Sequence, residues 1–595
     1  MEKTPFVSGA DHIHWNLDDL YSDVDALKED LAMSSELAEE FANSYRTKVA
    51  DLDATGLAEA MTRLGEIQDK SGRAATYAFL DWTTDTADPD RGALLQEVRE
   101  RTAQISSNVI FFELEWVALD DAAVLELLES PELRDSRHFL DVQRAQREHL
   151  LSEVEEKILV EKSVTGRSAW NRFFDESHSD ARYDFDGDLL TQQEILSKLH
   201  SANRTERRKA AEAFSIGLNS QARPLTFIFN TILADKAADD RLRVYPTWIS
   251  DRNFSNEVDD ETVSSLVDAV TNGYPIVEKY YGIKRRLLGY DTLFDYDRYA
   301  PIGESDTHVS WSKAEEIVSE AYSGFHPEMG EIVELFFSKK WIDAALGANK
   351  SGGAFSHGAV PSAHPYILVN YTGRVRDVQT LAHELGHGVH QYLSRDQGIF
   401  HADTPLTTAE MASVFGEMLT FQSLLEKEED PRNRLSMLMG KIDDTFATVF
   451  RQISMNRFED RIHTERRDVG ELSLDKFSEL WMETQRSMFG ESVELTDDYR
   501  IWWCYIPHFL HTPGYVYAYA FGELLVLALY RRYQEVGESF ADQYIQLLRA
   551  GGSDWPHVLL SRMDIDLRDK NFWSAGVQMI GELVDQAEKL SLEMN

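Results

Sequence analysis

The sequence predicts a mainly α-helical fold. Apolar residues recur at three- and four-residue spacing through 22–70, 92–130, 189–240, 260–290, 312–346, 377–393, 407–425, 433–463, 472–490, 515–550 and 571–592. That is the period of helices that bury one face. Strand signals are confined to two short segments. No Gly/Ser- or Pro-rich linker and no fixed-period repeat breaks the pattern, so neither a flexible tether nor a solenoid is expected.

Composition bounds the class. The 595 residues are 43 % apolar and 27 % charged. These are ordinary values for a globular protein, and the length suits about three to five domains. Lys+Arg 60 against Asp+Glu 103 leaves a net charge of −43. Such a surface repels phosphate backbones, which argues against a nucleic-acid partner. Arg outnumbers Lys about two to one. An acidic, Lys-poor surface suits a high-salt habitat, and equally a protein kept apart by its own charge. The N-terminal MEKTPFVSGADHIHW lacks the apolar core of a signal peptide. The apolar stretch Leu524–Tyr530 is far short of the ~18 residues of a membrane span. A single cysteine, Cys504, excludes an internal disulfide. The expectation is a cytoplasmic protein with no membrane partner; composition leaves the oligomeric state open.

Along the chain, Arg182–Leu190 (RYDFDGDLL) alternates around Asp186-Gly187 and reads as a hairpin. The polar segment His200–Arg208 suggests a boundary between an N-terminal helical domain, 1–203, and 204–595. Gly352-Gly353 and Ser356-His357-Gly358 read as a mobile loop. Pro365–Tyr371 (PYILVNY) is a β-rich run. Asp377–Tyr392 (DVQTLAHELGHGVHQY) reads as a helix, with Asp377 to cap its start and Leu381, Leu385 and Val389 on one apolar stripe. Leu406 to Glu417 opens the next helix. Glu426–Arg434 (EKEEDPRNR) reads as a solvated loop between helices, not a domain linker.

The informative chemistry is His383-Glu384-Leu385-Gly386-His387, an HExxH pattern. On a helix His383 and His387 share a face and can hold one zinc ion. Glu384 stands one step round, beside the open coordination position, where it can take a proton from water. Catalytic zinc takes three protein ligands plus water. Leu393, where one pattern has a third histidine, excludes that pattern. His390 shares the face but would crowd the water, so it reads as a supporting or core residue. A Glu from another helix remains. Glu410 and Glu417 lie on one face of the next helix. Thr407-x-x-Glu410 is also a capping box. With HExxH 23 residues upstream, Glu410 is assigned as the third ligand and Glu417 as a partner of a ligand histidine.

These motifs resemble the oligoendopeptidase F / thimet oligopeptidase family of zinc metallopeptidases. His383–His387 and Glu410–Glu417 (EMASVFGE) fit its HExGH and E-x-x-S-x-x-x-E patterns. Trp15–Tyr21 (WNLDDLY) and Ile506–Gly522 (IPHFLHTPGYVYAYAFG) are similar to the oligoendopeptidase F branch, so the resemblance spans nearly the whole chain. It implies a two-lobed helical metallopeptidase with a deep substrate channel and a small β element beside the HExxH helix. It implies one zinc ion per chain, 204–595 as the catalytic domain, and cleavage of short peptides. His383, His387 and Glu410 are the implied ligands and Glu384 the implied general base. His and Tyr side chains of the C-terminal segment are implied to face the substrate carbonyl. His508, His511 and Tyr517 are the catalytic candidates there, Tyr515 and Tyr519 the substrate-binding ones, and the choice among the five is open. An imidazole or phenol aimed at the developing oxyanion is worth roughly 2.7–4 kcal/mol.

An edge strand at PYILVNY would pair with an extended peptide through main-chain hydrogen bonds. Three rival readings remain. An exopeptidase of dipeptidyl carboxypeptidase type needs a cation placed to fix the substrate's terminal carboxylate. A catalytically silent peptide-binding protein would be expected to lose Glu384 or a ligand. A zinc hydrolase of non-peptide amides would share the metal centre. His357 and His364 read as polar loop residues; His12, His14 and Cys504 receive no role.

Overall fold

The computed structural model describes residues 7–163, 165–303 and 308–594. Helix accounts for 72 % of it, so the mainly α class holds. Among the described residues the strands are β1 (Tyr183–Phe185), β2 (Asp188–Leu190), β3 (Ile342–Asp343), β4 (Phe355–His357) and β5 (Tyr366–Leu368). No described helix is long and apolar enough to cross a membrane. The chain divides into two compact units, neither continuous in sequence.

The first unit combines Met1–Arg147, Asp306–Lys427 and Arg532–Ile565. Its main helices are α1 (Val24–Tyr45), α2 (Ala54–Thr84), α3 (Pro89–Val109), α4 (Trp311–Phe325), α5 (Val375–Ser394) and α6 (Met411–Lys427). The first three begin alike. Asp23, Asp53 and Asp88 each accept a backbone N–H of the first turn, satisfying donors that a helix leaves unpaired. Leu27, Leu31 and Phe41 of α1 pack with Leu57, Leu64 and Ile67 of α2 and Val98 of α3 in one core, which Tyr366 of β5 joins. Burying each such side chain contributes about 1.5–3 kcal/mol before chain entropy is counted.

The sheet in this unit corrects one expectation. Its order is β3-β5-β4, with β5 parallel to β3 and antiparallel to β4. The PYILVNY strand is therefore central, not an edge. Tyr366, Ile367 and Leu368 are all buried, as a strand covered on both faces must be. The outer antiparallel strand is β4, formed by Phe355, Ser356 and His357, within the stretch expected to be a loop.

The second unit combines Glu148–Ser305, Glu428–Arg531 and Asp566–Asn595. The expected hairpin is present: β1 pairs antiparallel with β2, and Phe185 faces Asp188. Asp186 and Gly187 take φ of 56° and 97°, the left-handed pair that a two-residue turn requires. The core gathers Phe214, Phe229, Phe477, Trp481, Trp503 and Phe509 around the buried Cys504. The 203/204 position falls inside this unit, where Asn203 caps the helix Arg204–Ser220. Glu426–Arg434 is more than a loop. The chain passes from the first unit to the second between Lys427 and Glu428, and Asp430 caps the helix Pro431–Thr448.

Candidate metal centre

α5 and α6 cross with almost no space between them. A Cβ added at Gly386 would fall inside the van der Waals shells of Ala412 O and Ser413 Cα, so only glycine lets the two backbones approach this closely. Gly416 of α6 faces the ring of Tyr322 on α4 in the same way, and the Tyr322 hydroxyl donates to the Ala382 carbonyl at 2.6 Å. α5 begins at Val375, so Asp377 sits just inside the helix and is not its cap. Its carboxylate accepts the N–H groups of Thr372 at 2.8 Å and Arg374 at 3.1 Å.

The crossing lays two carboxylates against the α5 histidines. Glu410 Oε2 is 3.3 Å from His383 Nε2 and 3.5 Å from His387 Nε2. One ligand atom from each of these three residues lies within 4.8 Å of the others. The opposite nitrogen of His383, Nδ1, is 3.4 Å from Glu417 Oε2. Ser413 Oγ donates to Glu410 Oε2 at 2.7 Å. The turn before α6 is Leu406–Ala409 with Pro405 ahead of it. Thr407 therefore lies within the turn, not ahead of it at the cap position read from the sequence.

Burial raises the Glu410 carboxyl, but the hydrogen bond from His383 and the nearby imidazoles bring it down to about 2. Burial opposes the charge on His383, yet Glu410 and Glu417 outweigh it and raise this imidazole to about 10. His387 is pushed down to about 4 by burial, which Glu410 only partly offsets. Glu384 is 7 % exposed, and burial raises its carboxyl to about 7 against the pull of His383 and a hydrogen bond from the Ser356 backbone of β4. Carboxylates on both sides of His383 make this a place where positive charge is favoured, as a bound cation would supply. Two histidines and a glutamate, with a further carboxylate on the outer nitrogen of one histidine, fit zinc. His390 is buried outside this group, and its Nε2 has no partner among the described residues.

The C-terminal candidates all lie in the second unit and separate there. His508 Nε2 is 3.3 Å from the Tyr519 hydroxyl, and the rings of Tyr515 and Tyr519 meet edge-on at 5.0 Å. These three are partly exposed. His511 is exposed and tied to Asp175 at 2.9 Å. Tyr517 departs from expectation. It is 0 % exposed, and its hydroxyl accepts from Asn256 Nδ2 at 2.9 Å. A phenol enclosed in this way meets no substrate; it packs the start of the helix Tyr517–Val536. Of the loop histidines, His364 stacks on Trp341 at 3.9 Å, and His357 accepts the Ala359 N–H at 3.0 Å. Sequence reasoning quotes Ser413 as part of the motif but gives it no role, although it is the i+3 neighbour of Glu410; it misses Tyr322, which comes from a distant helix with no local signal.

Residues 197–579 match peptidase family M3, and residues 115–183 match the family described as Oligopeptidase F. The chain is 27 % identical over 593 residues to Oligopeptidase PepF of Bacillus subtilis, covering 98 % of this chain and 87 % of that one. It is 26 % identical over 520 residues to an oligoendopeptidase F homolog of Borreliella burgdorferi, covering 86 % and 87 %. It shares its fold with a Chlamydophila abortus peptidase, at a TM-score of 0.89 and 24 % identity over 98 % and 99 % of the two chains. Oligoendopeptidase-F from Enterococcus faecium follows at 0.70 and 22 % over 96 % and 99 %. The first of these matches includes the whole α5–α6 crossing and well over half the sequence: the chain belongs to peptidase family M3, in its oligoendopeptidase F branch, and is a metallopeptidase.

Proposed function

We propose that the protein is a zinc-dependent oligoendopeptidase that hydrolyses internal bonds of short, unstructured peptides. The observation that carries this reading is the convergence of His383, His387 and Glu410 within 4.8 Å, with Glu384 on the same turn of α5. Those three residues would hold one ion, which when bound polarises a carbonyl and lowers the pKa of water toward ~7. Glu384 takes the proton from the attacking water and passes it to the leaving amine. Burial holds its carboxyl up at about 7, which suits a group that accepts and releases a proton near neutrality. Glu417 orients the His383 ring through Nδ1, and Ser413 fixes the Glu410 carboxylate. Of the C-terminal set, His508, Tyr515 and Tyr519 have the exposure needed to support an oxyanion. His511 is the remaining candidate. β4 offers backbone groups to an extended peptide in place of β5.

Action inside the chain on short peptides follows the names of the relatives, oligopeptidase and oligoendopeptidase F. The test uses internally quenched peptides, with cleavage sites mapped by mass spectrometry before and after metal removal. Activity lost to a chelator and restored by zinc, with cleavage at internal bonds, is the expected result. Hydrolysis that survives complete metal removal would overturn the reading.

A further inference from the structure

The outer strand of the first unit's sheet, β4, meets a different helix on each face. Ser356 Oγ donates to Gln391 Oε1 of α5 at 2.7 Å, and Gln391 Nε2 donates back to the Ser356 carbonyl at 3.4 Å. Gln391 stands four residues beyond His387 and eight beyond His383, so it continues the stripe of α5 that carries the two histidines. β4 is thereby pinned alongside that stripe. The residues on either side of Ser356 point the other way, as alternation along a strand requires. The rings of Phe355 and His357 each lie 5.6 Å from that of Phe79 on α2.

On this second face a cavity of about 340 Å³ lies between α2, α3 and β4. Ala75 and Phe79 of α2, Leu95 and Val98 of α3, and His357 supply its wall. Thr76 also lines it, but its hydroxyl donates to the Gly72 carbonyl of its own helix at 2.8 Å. The wall therefore presents mostly carbon. Among the described residues that line it, only Arg99, exposed at the rim, carries a fixed charge. The volume stands at the lower end of the range for ligand pockets, roughly 300–1,000 Å³, which suits one side chain and not a whole cofactor.

We propose that this cavity receives one large apolar side chain of the peptide substrate. A peptide that pairs with the outer edge of β4 continues the sheet, so its side chains alternate between the α5 face and the α2–α3 face. A side chain on the α2–α3 face beside His357 enters the cavity, while the main chain runs past the histidine stripe of α5. Leucine or phenylalanine fills the apolar wall, and glycine leaves it empty. Lysine would bring a second cation up to Arg99 and lose water around its own charge. A cation is thus disfavoured at this one position, although the net charge of −43 draws cationic peptides in general. The proposal rests on the peptidase reading and adds to it the side chain that the enzyme selects.

The test is a set of internally quenched peptides in which each position flanking the scissile bond is in turn Leu, Phe, Gly or Lys. One position should favour Leu and Phe over Gly and Lys by roughly 10- to 100-fold in kcat/KM, the effect of burying one such side chain. Ala75→Leu fills the cavity from a partly exposed position on α2, and should collapse the preference at that position alone. If no position favours a large apolar side chain in the enzyme with Ala75 intact, the proposal fails, and that measurement needs no variant to fold. An unaltered preference in folded Ala75→Leu would also overturn it. Location is read without turnover, by a photoreactive leucine analogue placed at each position in turn in peptides bound to the Glu384→Gln protein. One of these peptides should crosslink within 72–79, 95–99 or 355–359. Crosslinks confined to other segments would assign the side chain to another place and overturn the proposal. Crosslinking at the cavity without hydrolysis of any peptide by the enzyme with intact Glu384 would sink the peptidase reading and leave the cavity as a peptide-binding site.

Discussion

At the scale of single residues, three carboxylates make separable predictions. Glu384→Gln keeps the size of the side chain but cannot accept a proton. Metal should stay bound while turnover falls at least ~10²-fold, checked by metal analysis beside the assay. Glu410→Gln should lower metal occupancy together with activity. If the residue only capped a helix, the change would cost roughly 0.5–2 kcal/mol of stability with the metal retained. Glu459 concerns stability. It is 0 % exposed, with one oxygen accepting the Gly514 N–H at 2.8 Å and the other, Oε2, unpaired among the described residues. Burial raises its carboxyl from 4.5 to about 8. The folded protein then keeps a proton that the unfolded chain gives up, so this contribution to stability is complete below pH 4.5 and is lost as pH rises through about 8. Glu459→Gln, which carries its own hydrogen permanently, should gain in thermal midpoint relative to wild type between pH 5 and 8. A difference that does not change with pH would refute this account.

At the scale of elements, the α5–α6 crossing is the decisive structure, and Gly386 tests it. A methyl group there has no room, so Gly386→Ala should cost about 1–3 kcal/mol by overpacking. It should also weaken metal binding, because separating the helices moves Glu410 from His383 and His387. Gly440→Ala is the control. An added Cβ there meets nothing within 4 Å, and alanine in a helix interior is favoured by roughly 0.5–1 kcal/mol. Equal effects of the two changes would mean that the close crossing is unimportant. These helices were legible in the sequence because each buries one face and so repeats at three and four residues. His383, Glu384 and His387 were legible because their spacing is itself the chemistry. The role of PYILVNY was not, because strand pairing is decided by segments far away in sequence: β3 and β4 cover the two sides of β5. A continuous apolar run, unlike an alternating one, was the available hint of a covered strand. Tyr515, Tyr517 and Tyr519 looked equivalent at spacing two. Tyr517 opens a helix and turns inward onto Asn256, and nothing local announces that partner.

At the scale of the whole molecule, charge and access should together select the substrate. The net charge of −43 sets up a field that draws in cationic peptides and slows anionic ones. Surface charges are screened over about 10 Å at 0.1 M salt and about 3 Å at 1 M, so the advantage of a cationic peptide should shrink as salt rises. Access is the second selector. If the metal centre is reached through a channel, as the family resemblance implies, an extended strand can enter while a folded domain, about 25 Å or more across, cannot. Unstructured peptides of up to roughly 20 residues, about 70 Å when extended, should be cut internally, and folded proteins spared. A ladder of peptides of increasing length, run beside a folded protein and its unfolded form and read by mass spectrometry at low and high salt, measures both selectors at once. Efficient digestion of the folded protein would contradict restricted access. Cationic and anionic peptides cleaved at the same ratio of rates at both salt concentrations would remove the field from the account. Stepwise loss of single terminal residues would replace the endopeptidase with an exopeptidase on the same centre.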